Sequence, residues 1–362
     1  MGTFTVSTRY WHLLADGRAQ CDLCPRPCKL HEGQRGLCFV RSRAGDEVVL
    51  TTYGRSSGFC VDPVEKKPLN HFLPGSAVLS FGTAGCNLAC RFCQNWDISK
   101  SKEVETLSQT ASPGAIGRAA KALGAESLAF TYNDPVPFME YAVDCADAAH
   151  ELGLRAIAVT AGYICPEPRA DMYARMDAAN VDLKAFSEDF YKHICGGQLG
   201  AVLETLEYLH NETRAWVEVT NLLIPGANDS AAEVDAMTSW VVAHLGQDVP
   251  MHFTAFHPDF KMTDLPPTPP EALNRARRIA LANGVRHAYT GNVHDTEGGS
   301  TYCSGCGTRV VERDWYEIGE YRLTDDGHCQ ACGTRCPGVY AGPAGTWGSR
   351  RLPVRIPDVA RR

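Results

Sequence analysis

The sequence predicts an α/β protein built on a partial (β/α)6-type parallel barrel, with a small Cys-rich module at each end. Three observations carry this. From about residue 77 to residue 290, short β-rich runs alternate with helix-length segments. The polar residues of that stretch gather where the runs end. Eleven of the sixteen cysteines fall into three clusters at ligand spacing, one before the alternation, one inside it and one after it. The division that follows is 1–70, 71–298 and 299–362.

The β-rich runs are AVLSF (77–81), SLAFTY (127–132), RAIAVT (155–160), NVDLKAF (180–186), WVEVTNLLI (216–224), MHFTAF (251–256) and VRHAYT (285–290). Helix signals separate them. Ser112-Pro113 reads as an N-cap followed by proline in the first turn, with Gly124 as the stop. FMEYAVDCADAAHEL stops at Gly153, and Ser187-Glu188-Asp189 opens another helix. SAAEVDAMTSWVVAHL stops at Gly246, and TPPEALNRARRIALAN at Gly284. Strands alternating with helices of this length form parallel βαβ units. Six or seven units suit an open or partial barrel, with a doubly wound sheet as the alternative.

In a parallel barrel the chemistry sits where strands run into loops. Cys86, Cys90 and Cys93 follow the first run, and Asn133 and Asp134 the second. Asp182 and Lys184 lie on the fourth, Asn221 on the fifth, His257 after the sixth and Asn292 after the seventh. Together they outline one mouth.

At 362 residues, 44% hydrophobic and 21% charged, the composition is that of a globular protein. A net charge of −7 gives no electrostatic footprint for nucleic acid. The start has no apolar signal region, and no run reaches the length of a membrane span. The expectation is a cytoplasmic protein with no membrane partner. Sixteen cysteines in that setting point to metals rather than disulfides.

Cys21, Cys24, Cys28 and Cys38 supply four soft ligands among prolines and glycines, enough for zinc or for an auxiliary iron–sulfur cluster. Cys303, Cys306, Cys329 and Cys332 form a paired-knuckle pattern that reads as a zinc ribbon. Cys336 stands nearby as a possible substitute ligand, and His328 reads as a bystander. Both flanks look too thin in core to hold without a staple. Cys60, Cys145, Cys165 and Cys195 read as ordinary buried thiols. Asp62-Pro63-Val64-Glu65-Lys66-Lys67-Pro68, beside His71, reads as a solvated charged turn, or as a border of the active site.

GCNLACRFCQN (85–95) spaces three cysteines as C-x3-C-x2-C. Iron–sulfur cubes usually take four thiolates, so three leave one iron free for an exogenous ligand. This loop, with Phe92 before its last cysteine, resembles the signature of the radical S-adenosylmethionine superfamily. The resemblance implies a [4Fe-4S] cluster on Cys86, Cys90 and Cys93, with S-adenosylmethionine chelated at the open iron. Reductive cleavage of the cofactor would then release a 5′-deoxyadenosyl radical. Within it, Thr131-Tyr132-Asn133-Asp134-Pro135 stands where relatives contact the methionine amino group. Asp182-Leu183-Lys184 resembles a segment that helps hold the cofactor in pyruvate formate-lyase activating enzymes, and His257 loosely matches a histidine near it. Asn133, Asp134, Asp182, Lys184 and His257 are therefore the implied cofactor-binding residues. No acid or base is assigned.

CDLCPRPCKLHEGQRGLCFVR, DPVEKKPLNHFLPGS, GCNLACRFCQNWDIS, TYNDPVPFMEY, FHPDFKM and TGNV together look like one subgroup. It is the radical S-adenosylmethionine component of the AmmeMemoRadiSam system, often labelled pyruvate formate-lyase activating enzyme-like. This implies an enzyme that abstracts hydrogen from a protein or small molecule and takes electrons from a flavodoxin- or ferredoxin-type donor. Its other partners would be the rest of that system. The rival readings are a glycyl-radical-enzyme activase, an iron–sulfur electron carrier that does not cleave the cofactor, and a zinc-stapled binding module.

Overall fold

The computed structural model describes residues 4–100, 107 and 109–357. Its centre is a nine-stranded sheet. In chain order the strands are β1 (Gly58–Pro63), β2 (Ala77–Gly82), β3 (Ser127–Phe130), β4 (Arg155–Thr160) and β5 (Ala178–Asp182). They continue as β6 (Trp216–Leu223), β7 (Met251–Ala255), β8 (Ala288–Gly291) and β9 (Leu352–Val354). Across the sheet the order is β8-β7-β6-β5-β4-β3-β2-β1-β9. β2 to β8 are parallel to their neighbours. β1 and β9 extend the β2 edge as antiparallel strands. The order ends at β8 and β9, so the sheet is an open, partial barrel.

The helix signals act largely where they stand. Ser112 caps the helix Pro113–Ala122, its Oγ accepting from the Ala115 amide at 3.4 Å. Ser230 does the same for Ala231–Leu245, and Gly246 follows with φ of +84°. Ser187 also caps, but its helix stops at Phe190 and passes into a π-helical turn, Tyr191–Cys195. The long helix of that unit starts only at Leu199 and ends at Glu212. That helix and Pro166–Tyr173 lack the Ser-Pro or Gly punctuation of the others.

Side chains alternate across each strand. Val181, Val217, Val219 and Phe253 face the helices within one continuous core. The opposite, inner face is filled below by the chain itself. Val64, Leu69, Phe72 and Leu73 pack there against Val78, Ala129, Ile157 and Ala178. Glu218, buried on the same face, accepts from the amides of Asn70 (3.0 Å) and His71 (2.8 Å) and from the Trp216 ring (2.9 Å). Asn180 donates to the Pro68 carbonyl at 2.8 Å. The upper inner face stays open as the mouth.

The two ends differ. Trp11–Leu13, Ala19–Cys21 and Cys28–Leu30 form one small sheet, and Val6–Ser7, Arg41–Ala44 and Glu47–Leu50 another. Their buried residues, among them Leu23, Leu30, Val40, Val48 and Leu50, join the helix-side core. The N-terminal end is therefore not thin in core, contrary to expectation, because the barrel supplies it. At the C-terminal end, Thr301–Tyr302, Arg309–Asp314 and Glu317–Tyr321 carry a separate small core around Val310, Val311 and Leu323. Among the described residues no helix is long and apolar enough to cross a membrane.

Candidate active site at the sheet mouth

The loop leaving β2 is held from both sides. Asn133 accepts from the Thr83 amide at 3.0 Å and donates to the Gly85 carbonyl at 2.7 Å. A Cβ at Gly82 would overlap Asn133 and the Thr131 carbonyl. Gly85 takes a φ of +78°, open to glycine and costly for other residues. From the far side, the π-helical turn accepts the Ala89 amide at Cys195 (2.7 Å) and the Arg91 amide at Ile194 (3.0 Å). The loop between these clamps carries Cys86, Cys90 and Cys93.

All three cysteines border one open cavity of about 610 Å³ at the C-terminal ends of the strands. Asn133, Asp134, Asp182, Lys184, His257 and Asn292 line the same space, so every candidate cofactor-binding residue converges there. Asn221 does not. Glu218, Thr220 and Leu222 point inward on β6, so alternation turns Asn221 outward, where it donates to the Leu183 carbonyl at 2.7 Å.

Asp134 is buried and bonded on every side, accepting from the amides of Val136 (2.9 Å) and Ala161 (2.7 Å) and from Thr160 (3.1 Å). Burial nevertheless lifts its pKa above the ordinary carboxylate range. Asn133 and Asp134 thus spend their side chains pinning the ends of β2, β3 and β4. Lys184 pairs with Asp182 at 2.9 Å. Burial pulls Lys184 down, but Asp182 and the thiols of Cys90 and Cys195 more than reverse this and hold it well above its usual value. Burial pushes Cys86 up to about 12. The Cys195 thiol donates to Cys90, and with Lys184 and Lys100 nearby it holds Cys90 below the usual thiol range. Cys195 is therefore part of the loop's support and not an incidental thiol.

Several lining residues escaped the sequence reading. Thr131, Thr160, Thr220 and Thr254 ring the mouth from four strand ends. The legible signal was a threonine at an inward position at or beyond the middle of four of the runs. Opposite the cysteines lies a charged wall. Asp62, fully buried, accepts from Lys66 (2.9 Å), Lys67 (2.8 Å) and Tyr132 (2.9 Å). Burial lowers Lys67 to about 8 against the pull of Asp62. Tyr132 holds a φ of +73°, the kind of backbone strain that costs about 1–3 kcal/mol and concentrates at functional sites. Lys66, Lys67 and Pro68 border the cavity, so this segment is a wall of the mouth rather than a solvated turn. Tyr316 and Arg351 reach the mouth from the C-terminal end.

His71 lies below the mouth, fully buried, with its Nδ1 2.6 Å from the Pro337 carbonyl. Cys336 sits with His71 and His287 rather than with the C-terminal four. Those four bring their sulfurs within 4.8 Å of one another, with Cys303 to Cys332 at 3.6 Å and Cys306 to Cys329 at 3.8 Å. His328 pairs with Asp326 at 3.0 Å. Cys21, Cys24, Cys28 and Cys38 line a separate cavity on the other side of the Cys86 loop.

A sequence profile of the Radical SAM superfamily matches residues 81–237, from the end of β2 into the fifth βα unit. The uncharacterized protein MJ0808 of Methanocaldococcus jannaschii is 37% identical over 327 residues, covering 90% of this chain and 97% of its own length. Among solved structures, a radical SAM methyltransferase from Sphaerobacter thermophilus aligns over 80% of this chain and 77% of its own, at 17% identity and a TM-score of 0.48. A domain of pyruvate-formate lyase-activating enzyme from Bacteroides vulgatus aligns over 46% of this chain and 100% of its own, at 15% identity and a TM-score of 0.41. With the three-cysteine loop at the mouth of an open parallel sheet and the profile laid across that sheet, residues 81–237 form a radical SAM domain.

Proposed function

We propose that the chain is a radical SAM enzyme of the AmmeMemoRadiSam system. It would bind a [4Fe-4S] cluster through Cys86, Cys90 and Cys93 and abstract hydrogen from a protein or small-molecule substrate at the sheet mouth. The observation that carries this is a single cavity bordered by three thiols of one loop, while the fourth nearby thiol, Cys195, hydrogen-bonds to Cys90 and is not on the cavity's lining. Three soft donors facing an open space suit a cube with one free iron. With cluster and S-adenosylmethionine bound, the pair supplies a 5′-deoxyadenosyl radical for hydrogen abstraction, fed by a low-potential flavodoxin- or ferredoxin-type donor.

The chain's own residues do the positioning. Lys184 and Lys100 set positive charge beside Cys90 and favour its thiolate. Asp182, fixed by Lys184, would offer a carboxylate to a cofactor ammonium. Asn133 and Asp134 keep the strand ends and the loop in one geometry. The wall of Asp62, Lys66 and Lys67 bounds the substrate side. The sulfur separations of 3.6 and 3.8 Å at the C-terminal four match the tetrahedron edge of about 3.8 Å that follows from Zn–S bonds of about 2.3 Å. That unit would hold structural zinc.

The test is anaerobic reconstitution with iron and sulfide, then reduction by dithionite with S-adenosylmethionine and an assay for 5′-deoxyadenosine. Wild type is expected to yield product, and Cys86→Ala/Cys90→Ala/Cys93→Ala none. A cube in the wild type that is indifferent to the cofactor would instead favour simple electron transfer.

A further inference from the structure

We infer that Cys21, Cys24, Cys28 and Cys38 hold a second iron–sulfur cube, not zinc, and that this cube hands electrons to the Cys86 loop. The relay part rests on the radical SAM reading; the site itself does not.

The first observation is spacing. Across the hairpin of Ala19–Cys21 and Cys28–Leu30, Cys21 and Cys28 are direct register partners. Cys24 rides the connecting loop, and Cys38 approaches from the next one. The four line one small cavity of about 20 Å³. Among the described residues, the groups whose donor atoms all lie within 4.8 Å of one another are the C-terminal four and His71, His287 and Cys336. No three of the N-terminal thiols meet that limit. Zinc needs four sulfurs close around one ion. A cube places its thiolates on outer corners, with four irons and four sulfides between them. Cys86, Cys90 and Cys93 stand apart in the same way.

The second observation is charge. Arg41 is 1% exposed, lines this cavity and interacts electrostatically with Cys21 and Cys38. Its Nε donates to the Pro137 carbonyl at 3.0 Å and its Nη2 pairs with Glu140, but its Nη1 has no hydrogen-bond partner among the described residues. The Nε of Arg26, also on the lining, is likewise unpartnered. Buried guanidinium nitrogens left without partners are costly. An anionic thiolate-ligated cluster with its sulfides supplies the missing acceptors.

The third is position. Asn87, next to Cys86 in the chain, lines the N-terminal cavity. A Cβ at Gly85 would overlap the Cys38 carbonyl, so the two loops touch backbone to backbone. On the cavity's other side Leu37 is 48% exposed. The site therefore spans from the surface to the Cys86 loop. A reduced one-electron donor docking at the Leu37 face would give one electron to this cube and be oxidised by one. The cube would pass that electron to the centre on Cys86, Cys90 and Cys93, with no bond made or broken in the transfer.

The test starts with reconstituted wild-type protein and Mössbauer spectroscopy. Two cubes in equal amount are expected, only one of which changes when S-adenosylmethionine is added. One cube alone, with zinc at two per chain, overturns the inference. Two cubes that both ignore the cofactor would leave this site standing and sink the radical SAM reading. Cys86→Ala/Cys90→Ala/Cys93→Ala should retain about four irons and four sulfides in a reducible, cofactor-insensitive cube. Cys24→Ser/Cys28→Ser should retain only the cofactor-sensitive one, and full iron retention there would count against the assignment. For the relay, Cys24→Ser/Cys28→Ser should be reduced at least tenfold more slowly than wild type by a reduced flavodoxin, and as fast by dithionite. Unchanged rates with flavodoxin, or slowing with both reductants, would refute it.

Discussion

Cys303, Cys306, Cys329 and Cys332 close on one another over a small private core, whereas Cys21, Cys24, Cys28 and Cys38 stand around a cavity lined mostly by their own segment, with Asn87 and Pro137 from the barrel. The donor set is the same four thiols. What differs is the scaffold between them. A two-knuckle ribbon folds each Cys-x2-Cys into a tight turn and brings the pairs face to face. The N-terminal thiols are spread over a hairpin and a separate loop. On the inference above, the same four ligands would take different metals because the surrounding chain spaces them differently.

The sharpest way to break this comparison is to disarm the ribbon. For Cys303→Ser/Cys332→Ser we expect loss of about 10 kcal/mol of metal-coupled folding, seen as rapid proteolysis within 303–345 while the barrel survives. A variant that stayed resistant would mean that the small core around Val310 suffices without metal. The next test is at the N-terminal end. Leu50→Ala, at a fully buried residue of the shared core, should cost about 2–5 kcal/mol. It should lower the main unfolding transition of the whole chain. A separate early transition would show that the N-terminal sheets form a unit of their own.

The smallest effect concerns the joint between ribbon and barrel. The Leu73 amide donates to the Val339 carbonyl and the Val339 amide to the carbonyl of His71, which packs beside His287 and Cys336. Burial lowers His71 to about 3 and His287 to about 4, from 6.5 for a free ring. The unfolded chain thus binds more protons than the folded one below pH 6.5. The stabilisation is complete above that value and is lost as the pH falls towards 3–4. At about pH 5.5 the loss should already amount to about 1–1.5 kcal/mol per histidine. Hydrogen exchange at Val339 should accelerate on going from pH 7 to pH 5.5 after correction for the intrinsic rate. His71→Gln should flatten that response, and an unchanged slope would place the acid sensitivity elsewhere.

Much of the barrel was legible because its signals are local. β4, for example, runs over the same residues as RAIAVT, and Ser112-Pro113 caps the helix it announces. The mouth was legible where chemistry is rare in sequence, as in the triple cysteine and Asp182-Lys184. Asn221 misled because a polar residue on a strand says nothing of its face until the register is known. The plug of 64–73 and the wall at Asp62 were hidden for another reason. Their partners, Glu218, Asn180 and Tyr132, are distant in sequence, and a run of paired charges reads as surface until something buries it. Cys195 looked incidental because its role depends on a π-helical turn that sequence periodicity does not encode.

β9 is the last strand among the described residues, and Leu352 pairs with Val61 on β1 while Arg351 comes within 3.6 Å of Asp62. Synthesis runs from the N-terminus, so early segments fold while later ones are still being made. Until residues 351–354 emerge, β1 presents an open edge, the kind of strand that invites mispairing. Completion of the mouth thus waits on residues 351–354. A chain cut before residue 351 would keep its cysteine loop yet expose β1.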